Sequence, residues 1–436
     1  MRTRPRRPPR GRPYVEAVVL LFIGLLITTT WLARWHVILT GSMAPTLLGT
    51  HCDVTCASCN FEYAIEAERQ LKQGQIVVCP NCDHSEELET ARTRSGDRVL
   101  VWRSIVDMQP PRRWDMITLR MPKQSKEFGV KRIVGLPGER IQLRDGDVYI
   151  DGYLVRKSLK EQRAIAILVH DADYSPRGRK VAKPRWRGGP DSHWESGSGT
   201  FRCSGENATT DWLVYHHERR QGGPGKFVDG PITDRYAYNQ TSPIRDLHQT
   251  GDVMMTCRAR FARKASWSIR AIDRKTPYIA TFDGLQGRFE LRQGFRMLTS
   301  RELKLGESHE HSLVVSLVDR RYEIALDGRS LYQLDLDMSS NSTEPSAEPF
   351  AIGLVQGSIE IDQLRVWRDV YYTVPPVLGQ KRNAPPGRAL FQPYTLGDDE
   401  YFLLGDNSPR SLDSRYMSFG IVTASLLVGE PVWEFR

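Results

Sequence analysis

Beyond residue 34 the chain has no second apolar run long enough to cross a bilayer. That excludes a multi-span membrane protein and leaves at most one anchor. Positive charge is scarce away from the N-terminus. The net charge is +9, but Arg2, Arg4, Arg6, Arg7, Arg10 and Arg12 fall in the first twelve residues, and removing those six from +9 leaves +3. A general affinity for nucleic acid is therefore not expected. Cysteine is scarce too, with seven in 436 residues, and four of them stand in two close pairs. A chain of 436 residues with 40 % hydrophobic and 26 % charged content is ordinary folded protein, too long for one domain.

The one greasy stretch runs VEAVVLLFIGLLITTTWLA, residues 15–33, with Glu16 as its single charge. About 20 apolar residues span a bilayer core. Trp31 and Trp35 stand at its far end, where indoles favour the interface, and the arginines before it predict an N-terminus inside the cell. A cleavable signal peptide would have a shorter core and small residues at its end, whereas this stretch ends in Trp-Leu-Ala-Arg-Trp. An uncleaved anchor is expected over 14–34, with everything after it outside the cytoplasm.

TGSMAPTL, residues 40–47, follows directly. It reads either as a turn ending a helix or as a nucleophile, Ser42, held at the membrane. Ser42 is seven residues past Trp35, so it lies within about 25 Å of it. A second block, GVKRIVGLPGERI at 129–141, is strand-like and then turns at Gly135–Gly138. Alone, Lys131 and Arg132 would read as a solvated pair. A catalytic reading needs Lys131 on the buried face and Arg132 outside. A third block, LLGDNSPRSLDSRYMSFG at 403–420, packs Asp406, Asn407, Ser411, Asp413, Ser414 and Arg415 into a short polar loop.

Together the three blocks resemble those of the type I signal peptidase (leader peptidase) family, a group of Ser/Lys dyad serine peptidases. That family carries SGSMxPTL after its anchor, then KRVIGLPGD, then GDNRxxSxDSRxxG. SGDRVLVWR (95–103), RRWDMITLRMP (112–122) and LRDGDVYIDG (143–152) also fit the family's strands. The resemblance covers about 180 residues, under half of the chain. It departs at Ser408-Pro409-Arg410, at two extra residues before Gly420, and at Glu139 in place of Asp. It implies Ser42 as nucleophile, Lys131 as general base and Thr40 as an oxyanion hydroxyl beside the Ser42 N–H. Ser411 would orient the lysine, and Asp413 with Arg415 would form a bracing ion pair. The implied activity is cleavage of signal peptides from exported preproteins on the outer face of the cell membrane, with no catalytic cofactor.

The residue types suit that chemistry. A serine hydroxyl needs a base, and a free lysine, with a pKa of about 10.4, is charged at neutral pH. Burial disfavours the ammonium. The site must therefore be partly dry, with Met43 and Ile133 as wall residues, and no histidine is needed.

Two insertions interrupt the family pattern. The first holds Cys56-x-x-Cys59 and Cys79-x-x-Cys82, 19 residues apart. That spacing is expected for a four-cysteine zinc ribbon with one structural ion. Two disulfides are the rival, since the segment should be extracytoplasmic. His51, Cys52 and His84 are expected to be bystanders. The second insertion starts with a basic, Gly- and Pro-broken stretch, either a linker or an arm for anionic headgroups. From about Trp194 it alternates apolar and polar residues, with Asp327-Gly328 as a hairpin signal. This part resembles concanavalin-like or laminin-G-like β-sandwiches, so a carbohydrate or protein ligand is open for it, and Cys203 and Cys257 are paired or free.

The expected architecture is mainly β: an N-terminal transmembrane helix, a signal-peptidase β-fold core, an inserted zinc-ribbon-like knuckle and an inserted β-sandwich. The expected segments are a basic arm at 1–13, the anchor at 14–34, core at 35–50, the ribbon at 51–94 and core at 95–153. A basic loop at 154–193, the sandwich at 194–374 and core at 375–436 follow. Expected partners are preprotein signal peptides and membrane lipid.

Overall fold

The computed structural model describes residues 12–27, 33–67, 74–88, 92–102, 109–122, 124–176, 183–197, 199–220, 226–240, 246–303, 310–337, 344–374, 390 and 392–435. The architecture is mainly β.

The apolar N-terminal stretch forms a helix over Arg12–Ile27, 16 residues long. At about 1.5 Å per residue it reaches roughly 24 Å, short of a hydrocarbon core of about 30 Å. No helix among the described residues is long and apolar enough to cross a membrane. The expected span over 14–34 is thus corrected at its far end. Residues 28–32 lie outside the described residues, and Ala33–Val37 is a strand paired with Arg98–Trp102, with Trp35 opposite Leu100. A sheet partner more than sixty positions downstream claims residues that hydropathy alone adds to the helix.

Seven strands form the sheet that carries Lys131 and leads into the 405–420 loop. Their order is Ala33–Val37, Arg98–Trp102, Leu427–Phe435, Met116–Met121, Gln124–Gly135, Glu400–Leu404 and Val422–Thr423. The first and last parts of the chain therefore interleave, and the described residues between 154 and 390 are looped out of this sheet. A smaller sheet of four strands, Tyr153–Leu154, Asp147–Ile150, Arg140–Arg144 and Tyr394–Thr395, closes one side. Asp145 and Gly146 both have positive φ at its hairpin, as a tight turn requires.

The first insertion is two small hairpins, His51–Thr55 with Glu62–Glu66 and Ile76–Val78 with Ser85–Glu87. The second builds a sheet of thirteen strands around Phe350–Arg368, which is 19 residues long. Trp267, Phe282 and Phe289 from one arm of this sheet share a buried cluster with Leu313, Val315 and Ile324 from the other, so the arms close over one core. Cys203 and Cys257 are both free and buried in it.

The segment 154–193, read from the sequence as a basic loop, contains a helix and two strands of the large sheet. Ser158 and Glu161 make a reciprocal capping box that starts the helix Leu159–Ile165. Ile167–Asp171 and Trp186–Gly188 are strands of the large sheet, and the first pairs with Arg365–Arg368. That partner is nearly two hundred positions away, which is why local pattern did not reveal it. Residues 177–182, in the middle of the basic run, lie outside the described residues.

Candidate active site

Ser42 sits in a single 3-10 turn, Gly41–Met43. Met43 is buried with Ile38, Leu47 and Val130. A side chain at position 41 would meet the Tyr238 ring at 2.1 Å, so only glycine allows this turn to pack there. Ser42 is half-buried, and Thr40 Oγ1 donates toward its Oγ at 3.5 Å.

The third block holds that turn. Asn407 N–H donates to the Ser42 carbonyl at 3.1 Å, and the Asn407 side-chain amide donates to the Gly41 carbonyl at 2.8 Å. Gly405 lies between, since a Cβ there would meet both Ser411 Oγ and the Ser42 carbonyl oxygen at 2.3 Å. Ser411 is buried and its Oγ has no hydrogen-bond partner among the described residues. A buried hydroxyl in that state is costly in a folded protein and marks a place to look for function.

Lys131 lies on the strand Gln124–Gly135 opposite Ile117 and is 4 % exposed. Ile133, next on its face, is fully buried with Ile117 and Leu403. The structure places Arg132 inside as well, at 2 % exposure, contrary to the expected outward position. Arg132 Nε and Nη2 donate to the two oxygens of Asp406 at 2.7 and 2.6 Å, and Nη1 donates to the Trp114 carbonyl. Burial works against that charge, but the Asp406 carboxylate overrides it and raises the guanidinium's pKa above its ordinary value. Thr46 Oγ1 donates to the same carboxylate at 2.6 Å. The three blocks thus meet through Asp406, a fork with paired partners on both sides. The sequence shows Asp406 and Asn407 only as members of a polar loop, and nothing local assigns them partners at 46, 132 and 42.

Asp413 and Arg415 are fully buried and form a two-pronged ion pair, with Nε to Oδ1 at 2.8 Å and Nη2 to Oδ2 at 2.7 Å. Burial opposes the Arg415 charge, and Asp413 more than restores it. Arg415 also donates to Ser408 Oγ and to the Thr373 carbonyl, at 2.8 and 2.7 Å. The Ser408-Pro409-Arg410 departure therefore has local uses. Ser408 joins the Arg415 network, and Arg410 reaches across to Glu66 on the first insertion.

A short run of the second insertion touches all of this. Tyr236 Oη donates to the Asp406 carbonyl at 2.8 Å, and Asn239 exchanges side-chain hydrogen bonds with Asn407 at 2.6 and 2.8 Å. Tyr238 Oη donates to the Thr50 carbonyl at 3.1 Å, and Gln240 Nε2 donates to the Val78 carbonyl at 2.9 Å. No sequence signal singles out these residues.

Cys56, Cys59, Cys79 and Cys82 are all buried, and their sulfurs lie within 4.8 Å of one another. Cys56 to Cys82 and Cys59 to Cys79 are each 3.7 Å apart, and none is in a disulfide. A tetrahedron with metal–sulfur bonds of about 2.3 Å has edges of about 3.8 Å. The donor set and its spacing fit one such ion. His51 instead contacts the Gly49 carbonyl and Asp53, and neither it, Cys52 nor His84 belongs to the cluster.

A family model described as "Signal peptidase, peptidase S26" matches residues 86–183 and 362–435. A signal peptidase I of Bacillus caldolyticus is 40 % identical over 58 residues, which is 13 % of this chain and 31 % of that relative. The chain thus spans about a third of the curated relative it matches. Among solved structures, a carbohydrate-binding module, CBM66, of Bacillus subtilis aligns over 42 % of this chain and 92 % of its own, at 8 % identity and a TM-score of 0.24. The Caenorhabditis elegans galectin LEC-6 aligns over 27 % of this chain and 83 % of its own, at 9 % identity and a TM-score of 0.21.

Proposed function

We propose that the chain is a membrane-bound serine endopeptidase of the signal peptidase I type that removes signal peptides from exported preproteins. What carries this reading is the meeting of three sequence-distant blocks: the Ser42 turn is hydrogen-bonded to the 405–407 loop, beside a buried Ser411 hydroxyl, and Lys131 is buried on the strand whose next residue is forked to Asp406. The matched family segments contain two of those blocks.

In this reaction Lys131 Nζ, neutral in a dry site, takes the Ser42 Oγ proton as Oγ attacks the substrate carbonyl. The Ser42 N–H and Thr40 Oγ1 hold the oxyanion, each donor worth roughly 3–4 kcal/mol. Lys131 returns the proton to the departing amine, leaving an acyl-enzyme on Ser42. Water then attacks that ester, its proton again passing to Lys131 and back to Ser42 Oγ. Ser411 positions the lysine, and the Asp413–Arg415 pair braces the loop.

The apolar helix is the membrane anchor, with its N-terminus in the cytoplasm. Its exposed Val15–Ile23 surface and the exposed Trp35, Val37 and Leu39 before the nucleophile support a site at the outer bilayer face. The four cysteines would hold one structural zinc ion in a ribbon, and the large inserted sheet is a β-sandwich module open to a carbohydrate or protein ligand. Nucleic acid is not a partner.

The test is cleavage of a preprotein by the detergent-solubilised chain. Ser42→Ala and Lys131→Ala should each lower turnover by at least about 10³-fold with an unchanged circular dichroism spectrum. Cleavage that persists in both variants would overturn the dyad.

A further inference from the structure

Three separate parts of the chain enclose a cavity of about 1000 Å³. Its walls include Pro45 and Thr46 after the nucleophile turn, Tyr63 and Asp83 of the first insertion, and Val169 and Trp367 at the stem of the large sheet. Neither Ser42 nor Lys131 lines it, so its occupancy can be followed apart from peptide cleavage. Cavities of this size hold small organic ligands.

Its charge is unusual. Arg185 and Arg368 both line it and are only 5 % and 2 % exposed. Among the described residues neither makes an ion pair. Arg185 Nη1 donates to Tyr215 Oη at 3.3 Å and to His217 Nδ1 at 3.1 Å. Arg368 donates to the carbonyls of Asp369 and Arg235 at 2.8 and 2.9 Å, and its guanidinium lies 4.6 Å from the Tyr236 ring centre. The carboxylate of Asp83, also in the wall, is taken by Arg235 at 3.0 Å. Buried charges are normally matched by a counter-charge; here the hydrogen-bond partners of both are neutral, and the carboxylate that acts on Arg185, that of Asp83, is shared with Arg235. Burial, and then the Arg185 charge, also push His217 well below its ordinary pKa, so it stays neutral. One stretch of the wall is apolar, with Ile167, Val169 and Ile232, while Glu62, Asn81, Arg219 and Arg235 make other parts polar.

We propose that this cavity binds an amphiphile with a net-anionic phosphate head group, one not neutralised by a cation of its own as in phosphatidylcholine, with the phosphate on Arg185 and Arg368 and the apolar part along the Ile167–Val169 wall. A guanidinium fork matches phosphate oxygens, and a phosphate would add the counter-charge that the shared Asp83 carboxylate leaves incomplete. Both a lipid head group and a free phosphate have the required anion, but only the lipid uses the apolar wall.

The experiment titrates the full chain, in non-ionic detergent at constant ionic strength, with dihexanoyl phosphatidic acid, dihexanoyl phosphatidylcholine and inorganic phosphate. Tryptophan fluorescence and the thermal transition report binding. Phosphatidic acid should saturate and raise the transition, with phosphatidylcholine and inorganic phosphate each at least about tenfold weaker. Arg185→Gln should weaken phosphatidic acid by about tenfold or more. Ala164→Trp, at an exposed rim position, should block entry without touching either arginine, and it serves where Arg185→Gln fails to fold. Equal affinity for phosphatidylcholine, or undiminished binding in Ala164→Trp, would overturn the proposal. Inorganic phosphate binding as tightly as phosphatidic acid would overturn the role of the apolar wall.

Discussion

Ser411 and Arg132 show how much single positions decide here. The Ser411 hydroxyl is buried with no hydrogen-bond partner among the described residues, so Ser411→Ala removes no hydrogen bond described in the resting fold. Its unfolding midpoint should stay within about 0.5 kcal/mol of wild type. If the hydroxyl positions Lys131, kcat should nevertheless fall by about tenfold or more, with KM little changed. A loss of stability with unchanged kcat would assign Ser411 to packing instead. Arg132→Met should behave in the opposite way. It leaves the buried Asp406 carboxylate without its fork, a change that typically costs about 3–5 kcal/mol. Urea unfolding of the core would measure that loss.

Two elements carry their own tests. The four-cysteine hairpin pair has a small apolar cluster, in which the cysteines themselves are prominent. Metal should therefore hold it together. Purified protein should contain about one zinc per chain, and Cys79→Ser should lose it. Protein free of metal with intact hairpins would favour another device. The second element is the junction of the large sheet with the smaller core sheet. There Lys157 meets Asp319 and Asp369 at 2.5 and 2.9 Å. Asp252 joins this group. Burial, and then the Asp319 and Asp369 charges, push its carboxyl up to about 7, while Lys157 and Arg320 pull the other way. A carboxyl raised above its unfolded value of about 3.9 stabilises the fold fully below that pH. The contribution is lost as pH rises through about 7. Between pH 4 and 8 the wild type should lose stability relative to Asp252→Asn, as read by thermal unfolding across that range. Parallel pH profiles for the two proteins would contradict this.

At the scale of the whole molecule, the two insertions are fastened to each other and to the 406–410 loop. Tyr236, Asn239 and Gln240 bridge the 406–407 loop and the cysteine hairpins within five residues, and Arg410 with Glu66 makes a second tie. Chelation of the ribbon metal should therefore lower preprotein cleavage by several-fold, although no cysteine lies in the catalytic loop, and zinc should restore it. Unchanged cleavage after complete metal removal would show that these ties carry no functional coupling.

The joint resemblance of three short blocks to one family singled out Ser42, Lys131 and the Asp413–Arg415 loop, and spacing alone singled out the paired cysteines. Each depends on residue types at short spacing, and short spacing is what a sequence displays directly. The same holds for the alternating strands after Trp194. Tertiary structure alone decided the rest. Arg132 turns inward to pair with the Asp406 carboxylate, 274 positions away, and Ala33–Val37, which begins at the end of the apolar stretch, is a strand because Arg98–Trp102 pairs with it. Within 154–193, Ile167–Asp171 is a strand because Phe350–Arg368 pairs with it, and Trp186–Gly188 because Thr200–Tyr215 does. Tyr236–Gln240 acquires its bridging place, and Arg185 and Arg368 their shared cavity, only when distant parts of the chain close over them. Burial and charge pairing depend on what surrounds a side chain in space, and neighbours in space are set by packing, which local order along the chain does not specify.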